Sequence, residues 1–104
     1  MTVMATSRNG VPIRLTDERW AHTMSRHPEM SDQRERVLET LEEPDMIQQG
    51  DFGELLAIRH YAHTPLTSKF MVVAYRETGL DDGFVITAYL TSRPLMRRVV
   101  LWKR

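Results

Sequence analysis

The chain has no cysteine among its 104 residues. Disulfide frameworks, thiolate zinc sites and cysteine nucleophiles are therefore excluded, whereas sites built from histidine and carboxylate remain open. Long apolar runs are also absent: the longest, residues 70–75, has the length of a strand and falls short of the ~18 residues needed to span a bilayer. Residues 1–10 lack the pattern of a secretion signal, so we expect a cytoplasmic protein without a membrane span.

The chain also lacks net charge, because fourteen basic residues balance fourteen acidic ones. This balance argues against the strong non-specific phosphate binding of a very basic protein. The charges are unevenly distributed, with a net charge of −5 in residues 1–54 and of +5 in residues 55–104. We therefore expect any anion site to lie in the second half of the chain.

The length and composition indicate one globular domain, since 41% of the residues are hydrophobic and 27% are charged. No repeat, linker or low-complexity stretch interrupts the sequence. Residues 1–10 are polar and end in an Asn-Gly turn signal, which predicts a flexible N-terminal arm. Residues 11–104 are expected to form the single domain.

Proline and capping residues divide the chain into helices followed by strands. Thr16 is a good N-cap for a helix that ends near His27, because Pro28 disfavours helical geometry at the residue before it. Ser31 is a plausible N-cap for a second helix running to about residue 43. Short strands are expected at 11–15 and, as a strand or connector, at 45–49; longer strands at 54–62, 69–76 and 83–91; and an edge strand at 97–102. Helices that precede strands predict an α+β fold with the helices on one face of an antiparallel sheet.

Strand side chains alternate between the two faces of a sheet, so each predicted strand can be divided by parity. In 83–91 one parity is wholly apolar and is expected to meet the helices; it comprises Phe84, Ile86, Ala88 and Leu90. In 54–62 the buried parity is expected to contain Leu56 and Ile58. The opposite parities together place five polar or aromatic side chains on one open face: Arg59, Tyr61, Thr87, Tyr89 and Thr91. This face suits hydrogen bonding to a ligand, and the alternative is an ordinary solvated sheet face.

The four histidines have spacings that fit a metal site poorly, so no metal is expected. His22 and His27 are five residues apart, which misses the i, i+4 helical chelate, and His60 and His63 straddle an expected strand end. His27 lies at a helix C-terminus, where the dipole stabilises its charged form. Such a group suits general acid–base chemistry; the alternative is a capping or half-buried histidine that packs beside the helix.

Four segments, taken in order and spacing, carry a family resemblance. They are Ile13–Thr16 through Trp20–His22, Arg26-His27-Pro28-Glu29, Val37–Asp45, and Asp82–Thr91. Over about residues 12 to 93 the chain resembles the phage-associated domains grouped with barnase, EndoU, colicin-type and RelE-like nucleases. The sharpest motifs are Arg26-His27-Pro28-Glu29 and Ile86-Thr87-Ala88-Tyr89.

The resemblance implies a metal-independent ribonuclease fold in which N-terminal helices pack on one face of a curved, mainly antiparallel sheet of four to five strands, and the open face holds RNA. In it, His27 matches the helix-end histidine, Thr87 and Tyr89 match the penultimate strand, and Arg59 matches a basic position on the second strand. This chain departs from well-studied members in its neutral charge and in having no evident Glu/Arg/His set on adjacent strands.

The leading hypothesis is an endoribonuclease without cofactor. It assigns acid–base work to His27, a phosphate clamp to Arg59, hydrogen bonds to phosphate to Thr87 and Thr91, and base stacking or proton transfer to Tyr89. Substrate contacts are assigned to Thr91, Tyr61, His22 and His60, the last two also being substitutes for the acid–base role. The other hypotheses are a non-catalytic module of the same fold that binds RNA or a protein, such as an antitoxin or immunity-type partner, and a homodimer formed through the last strand.

Overall fold

In the computed structural model, which describes residues 2–104, the chain forms one seven-stranded mixed sheet and two short α-helices. The strands are β1 Val3–Thr6, β2 Pro12–Leu15, β3 Met46–Gln49, β4 Leu55–Thr64, β5 Thr67–Glu77, β6 Gly83–Thr91 and β7 Val100–Lys103. Their order across the sheet is β1-β2-β6-β5-β4-β3-β7. Neighbouring strands are antiparallel except β2 and β6, which are parallel.

The domain is α+β, but the prediction of N-terminal helices on a mainly antiparallel sheet of four to five strands is wrong. Two strands precede the helices, and β1 lies within the stretch 1–10 that was expected to be an arm. It pairs with β2 through Val3 opposite Leu15 and Ala5 opposite Ile13. The four residues of β1 carry too little alternation to stand out in the sequence, whereas β2 lies within the strand expected at 11–15; the parallel pairing of β2 with β6 joins segments distant along the chain.

The junction of β2, β6 and β5 depends on a glycine. A Cβ at Gly83 would lie 2.5 Å from the carbonyl oxygen of Arg76 and 2.5 Å from Cδ1 of Ile13. Real Cβ atoms do not approach backbone this closely, so only glycine lets the three strands meet here. Asp82, beside this junction, accepts two hydrogen bonds from the guanidinium of Arg14 on β2.

Helix α1 spans Asp17–Arg26 and confirms the predicted boundaries. The hydroxyl of Thr16 accepts a hydrogen bond from the backbone N–H of Arg19 at 3.1 Å, and His27 is the C-cap. Helix α2, Arg34–Glu42, begins after Gln33 rather than at Ser31. The reason is a 3₁₀ turn at Pro28–Met30, which brings Met30 into the core with 0% exposure before the second helix begins.

Both faces of the sheet are covered, by different parts of the chain. The face against α1 and α2, here called the helix face, holds the main core, which includes Trp20, Val37, Leu41, Met71, Val73, Ala88 and Leu90. The opposite face, here called the far face, holds a cluster of four buried residues: Leu56, Ile58, Val72 and Ala74. Residues 92–99 connect β6 to β7 and cross this face over β5, β4 and β3. The far face is therefore not the open surface that parity predicted.

A β-bulge in β6 changes which side chains enter the core. Tyr75 pairs with Val85 whereas Ala74 pairs with Thr87, so Ile86 is an extra residue without its own partner. Val85 therefore lies in the helix-face core at 1% exposure. Ile86 is only half-buried and packs against the far-face cluster, and Phe84 is also half-buried. The predicted apolar face is correct for Ala88 and Leu90 and wrong for the other two.

No helix within residues 2–104 is long and apolar enough to cross a membrane.

Candidate functional site

The five side chains predicted to converge on one face are divided between two. Arg59 pairs with Met71, which pairs in turn with Leu90, and both of these partners belong to the helix-face core. Arg59 and Tyr61 therefore lie on the helix face, and their predicted place beside Tyr89 is wrong. Side chains of both parities are buried in β4, so burial of Leu56 and Ile58 does not identify the side that meets the helices.

Arg59 and Tyr61 join β4 to α2. The Arg59 guanidinium donates to the carbonyl of Glu43 at 2.7 Å and lies 3.7 and 3.8 Å from the carboxylates of Glu39 and Glu43. The Tyr61 hydroxyl donates to the Glu39 carboxylate, and the Arg36 guanidinium lies 4.6 Å from the centre of the Tyr61 ring. Burial, followed by this contact with Glu39, raises the pKa of Tyr61 to about 12. Through these contacts Arg59 attaches α2 to the sheet.

His27 and Tyr89, by contrast, are brought together. Because β2 runs parallel to β6 and leads directly into α1, the helix continues along β6 and contacts it. At the helix end the backbone of His27 leaves helical geometry, with φ −134° and ψ 77°. The centres of its ring and the Tyr89 ring are 5.7 Å apart, with the planes inclined by 34°. Nδ1 of His27 lies 3.7 Å from the Glu29 carboxylate, and the side chain is 36% exposed.

Arg98 supplies the cation of this site, although the sequence analysis assigned it no role. Its Nε and Nη2 atoms face the Asp51 carboxylate at 3.5 and 3.4 Å. Hydrogen bonding to Asp51 is the main cause that raises the pKa of Arg98, partial burial opposes it, and the Tyr89 hydroxyl adds a smaller increase. The arginine side chain is 17% exposed, so its charge is held in place near Tyr89. The net charge of +5 in residues 55–104 is the only sequence signal that includes Arg98, and it does not single this arginine out.

A pocket of about 150 Å³, here called the Tyr89 pocket, lies between the far face and the 92–99 connection. The sheet contributes Ile58, Val72, Tyr89, Thr91 and Gln48, and the connection contributes Arg93, Pro94, Leu95 and Arg98. Gln48 has 0% exposure, and its Nε2 donates to the carbonyl of Leu95 at 3.0 Å. Within residues 2–104 its Oε1 has no hydrogen-bond partner. The pocket thus combines an apolar floor, two arginines and one unpaired buried acceptor.

Three other predicted site residues lie on the far face, and of these only Thr91 lines the pocket. Thr87, opposite Ala74, and Thr91, opposite Phe70, lie on the far face. His60 is on the same face but is separated from Thr91 by Phe70, whose ring it contacts at 4.9 Å.

Of the remaining histidines, His22 is exposed on α1 and does not line the pocket. Across residues 2–104 no group of three or more His, Cys, Asp or Glu residues is arranged to hold a metal ion.

No protein-family model, curated protein or solved structure matches the chain. The resemblance to the barnase, EndoU, colicin-type and RelE-like nucleases therefore stays a prediction from the motifs. The contact between the His27 and Tyr89 rings, with Arg98 near Tyr89, brings together the groups in this region that can take part in chemistry.

Proposed function

We propose that the chain is a metal-independent endoribonuclease whose reaction centre contains His27, Tyr89 and Arg98. The observation that carries the proposal is the contact between the His27 and Tyr89 rings at 5.7 Å. Tyr89 also lines the pocket together with Arg98, so it links the imidazole, which it contacts, to the guanidinium. These are the groups that cleavage by the ribose 2′-hydroxyl requires, and the RNA substrate agrees with the cytoplasmic location that we propose.

The reaction would proceed by proton transfer on either side of a phosphate. A base removes the 2′-hydroxyl proton, O2′ forms a bond to phosphorus, and the bond from phosphorus to the 5′-oxygen breaks as an acid protonates that oxygen. The products are a 2′,3′-cyclic phosphate and a free 5′-hydroxyl. His27 is suited to one or both proton transfers because imidazole can accept and donate protons near neutral pH.

The neighbours of His27 have separate roles in this proposal. Glu29, 3.7 Å from Nδ1, orients the imidazole. Arg98 stabilises the negative charge that develops on the phosphate, with Arg93 beside it in the pocket, and this replaces the clamp predicted for Arg59. Tyr89 stacks on a base or takes part in proton transfer, and the hydroxyl of Thr87 on the same face donates to a phosphate oxygen. The Thr91 hydroxyl would do so only after leaving the Arg93 carbonyl, to which it donates at 3.2 Å.

The test is incubation of purified protein with mixed RNA in excess chelator, followed by sequencing of the RNA ends. We expect 2′,3′-cyclic phosphate ends, and a loss of ~10²–10⁴-fold in rate for His27→Ala, because general acid–base catalysis contributes about that much. His63→Ala is the matched control, since this histidine is exposed on the β4–β5 hairpin and does not line the pocket. It should cleave at the wild-type rate.

Two results would contradict the catalytic assignment. One is a His27→Ala protein that melts at a lower temperature but cleaves RNA at an unchanged rate per folded molecule. The other is cleavage of a substrate whose 2′-hydroxyls are replaced by hydrogen, because the proposed attack needs that oxygen. Dependence of cleavage on an added metal would contradict the metal-independent mechanism.

Exposed apolar side chains near β7 favour a second candidate, a non-catalytic module that binds RNA or a protein. Met96 is 70% exposed and Val99 60%, next to an edge strand paired on one side only, with β3. A second copy of the chain, or an inhibitor of the antitoxin or immunity type, would cover this surface. This candidate predicts a dimer by sedimentation, or RNA binding with no cleavage by the wild-type protein.

A further inference from the structure

The geometry of Gln48 points to a substrate preference, and the inference rests on the function proposed above. We propose that the Tyr89 pocket receives a nucleobase of the RNA whose only edge donor is an exocyclic amino group, adenine or cytosine, and that Oε1 of Gln48 accepts a hydrogen bond from that group. The base site would determine which RNA positions are bound and cut, and the reaction centre would determine how they are cut.

The orientation of the Gln48 amide is set by its neighbour. Nε2 donates to the carbonyl of Leu95 at 3.0 Å, and the reversed amide would turn an oxygen towards that carbonyl. The atom left without a partner is therefore the acceptor, Oε1. Gln48 is fully buried, and no donor within residues 2–104 pairs with Oε1; an unpaired buried acceptor is costly. The group that completes this site must be a hydrogen-bond donor.

The rest of the pocket has the character of a base site. Its volume of about 150 Å³ is below the ~300–1,000 Å³ of pockets for whole drug-sized ligands, so it admits a single ring system. Ile58 and Val72 offer an apolar floor, and Tyr89 offers an aromatic ring against which a base can stack. Arg93 and Arg98 carry the positive charge that an attached phosphate requires.

The apolar floor also selects among the bases. Uracil and guanine carry ring N–H groups flanked by carbonyls or further donors, and Ile58 and Val72 can neither donate nor accept hydrogen bonds. An exocyclic amino group projects from the ring, so that one acceptor can bind it while the remaining polar edge stays towards the arginines. Adenine and cytosine present such a group as their only donor on the base edge.

The experiment measures binding of uncleavable 2′-O-methyl trinucleotides that have adenine at the central position or purine, which lacks the amino group. We expect the wild-type protein to bind the adenine form about 5- to 150-fold more tightly, as expected when a buried acceptor is paired in one complex and not in the other. Gln48→Leu, close in size, should bind both forms equally. Gln49→Leu is the matched control, because this neighbouring side chain is exposed on β3, and it should keep the preference.

Equal binding of the adenine and purine forms by the wild-type protein would overturn the inference, and this comparison does not depend on whether any variant folds. A preference that persists in folded Gln48→Leu would overturn it as well. Failure of the two proposals is distinguishable: base preference without RNA cleavage removes the nuclease and keeps the base site. Cleavage that ignores base identity removes the base site and keeps the nuclease.

Discussion

The two faces of the sheet differ in what their polar groups do. On the helix face, two helices cover a continuous core, and the charged groups at its margin, such as Arg59 and Glu39, bind one another and attach α2 to the sheet. On the far face, a cluster of four buried residues lies under one connecting segment, and polar groups remain beside a pocket. The ion pairs of the helix face attach a helix to the sheet, whereas the ion pair between Arg98 and Asp51 holds a cation in the lining of a pocket.

The largest expected effect is on the stability of the two faces. Leu41→Ala should lower the free energy of unfolding by ~2–5 kcal/mol, because Leu41 is fully buried in the helix-face core. Ile86→Ala should cost only about 1 kcal/mol, because the bulge leaves Ile86 half-buried on the far face. Chemical denaturation of both variants measures the difference. Equal losses would show that the far face is packed as tightly as the helix face.

A pair of arginine substitutions separates the roles of the faces. Arg59→Gln should lower the free energy of unfolding by about 1 kcal/mol, since it removes partly exposed ion pairs, and should leave RNA cleavage unchanged. Arg98→Gln should slow cleavage by about 10- to 100-fold, the usual value of a hydrogen bond to a charged group, and should lower the free energy of unfolding by about 1 kcal/mol because it also removes the ion pair with Asp51. The measurements are thermal melting and cleavage rate for each variant. The opposite pattern would return the phosphate role to Arg59.

Local features of the fold could be predicted from the sequence. The Thr16 cap and the end of α1 at His27 follow from short-range capping and proline rules, and the buried positions of Val37 and Leu41 follow from helical periodicity. The far-face position of Tyr89 also follows from alternation, because it lies beyond the bulge. Interactions within a few residues were enough for each of these features.

The features that were missed depend on contacts distant in sequence. The bulge at Ile86 shifts the register between β5 and β6, so the β6 side chains before it face the opposite side of the sheet from the one that alternation predicts. Nothing in residues 83–91 alone signals that bulge. The position of Arg59 depends on which face the helices cover, and the far face looked open because the path of residues 92–99 across it is a tertiary property. Arg98 was missed because the edge strand was expected to begin at residue 97, whereas β7 begins at Val100 and leaves Arg98 in the connection.

The smallest expected effect concerns an unpaired hydroxyl on the helix face. Tyr75 is fully buried in the core, and its hydroxyl, like Oε1 of Gln48 on the far face, has no hydrogen-bond partner among the residues that the structure describes. No base site is proposed around Tyr75, so its hydroxyl should be dispensable. At pH 7, Tyr75→Phe should therefore change the free energy of unfolding by no more than about 1 kcal/mol, in the stabilising direction, because it removes a buried unpaired group.

Alkaline pH gives the sharper measurement. Burial raises the pKa of Tyr75 above its ordinary value of 10.0, so the folded chain keeps the proton while the unfolded chain loses it above that pH. The unfolded state then binds fewer protons, and the free energy of unfolding falls by up to about 1.4 kcal/mol per pH unit for this tyrosine. The contribution is fully present below pH 10 and is lost as pH rises towards the folded pKa. Tyr75→Phe should lose stability less steeply above pH 10 than wild type, with Tyr61 responsible for a remaining fall of the same sign. Identical slopes in urea titrations at several alkaline pH values would contradict this prediction. They would mean that the Tyr75 hydroxyl ionises as readily in the folded chain as in the unfolded chain, despite its burial in the helix-face core.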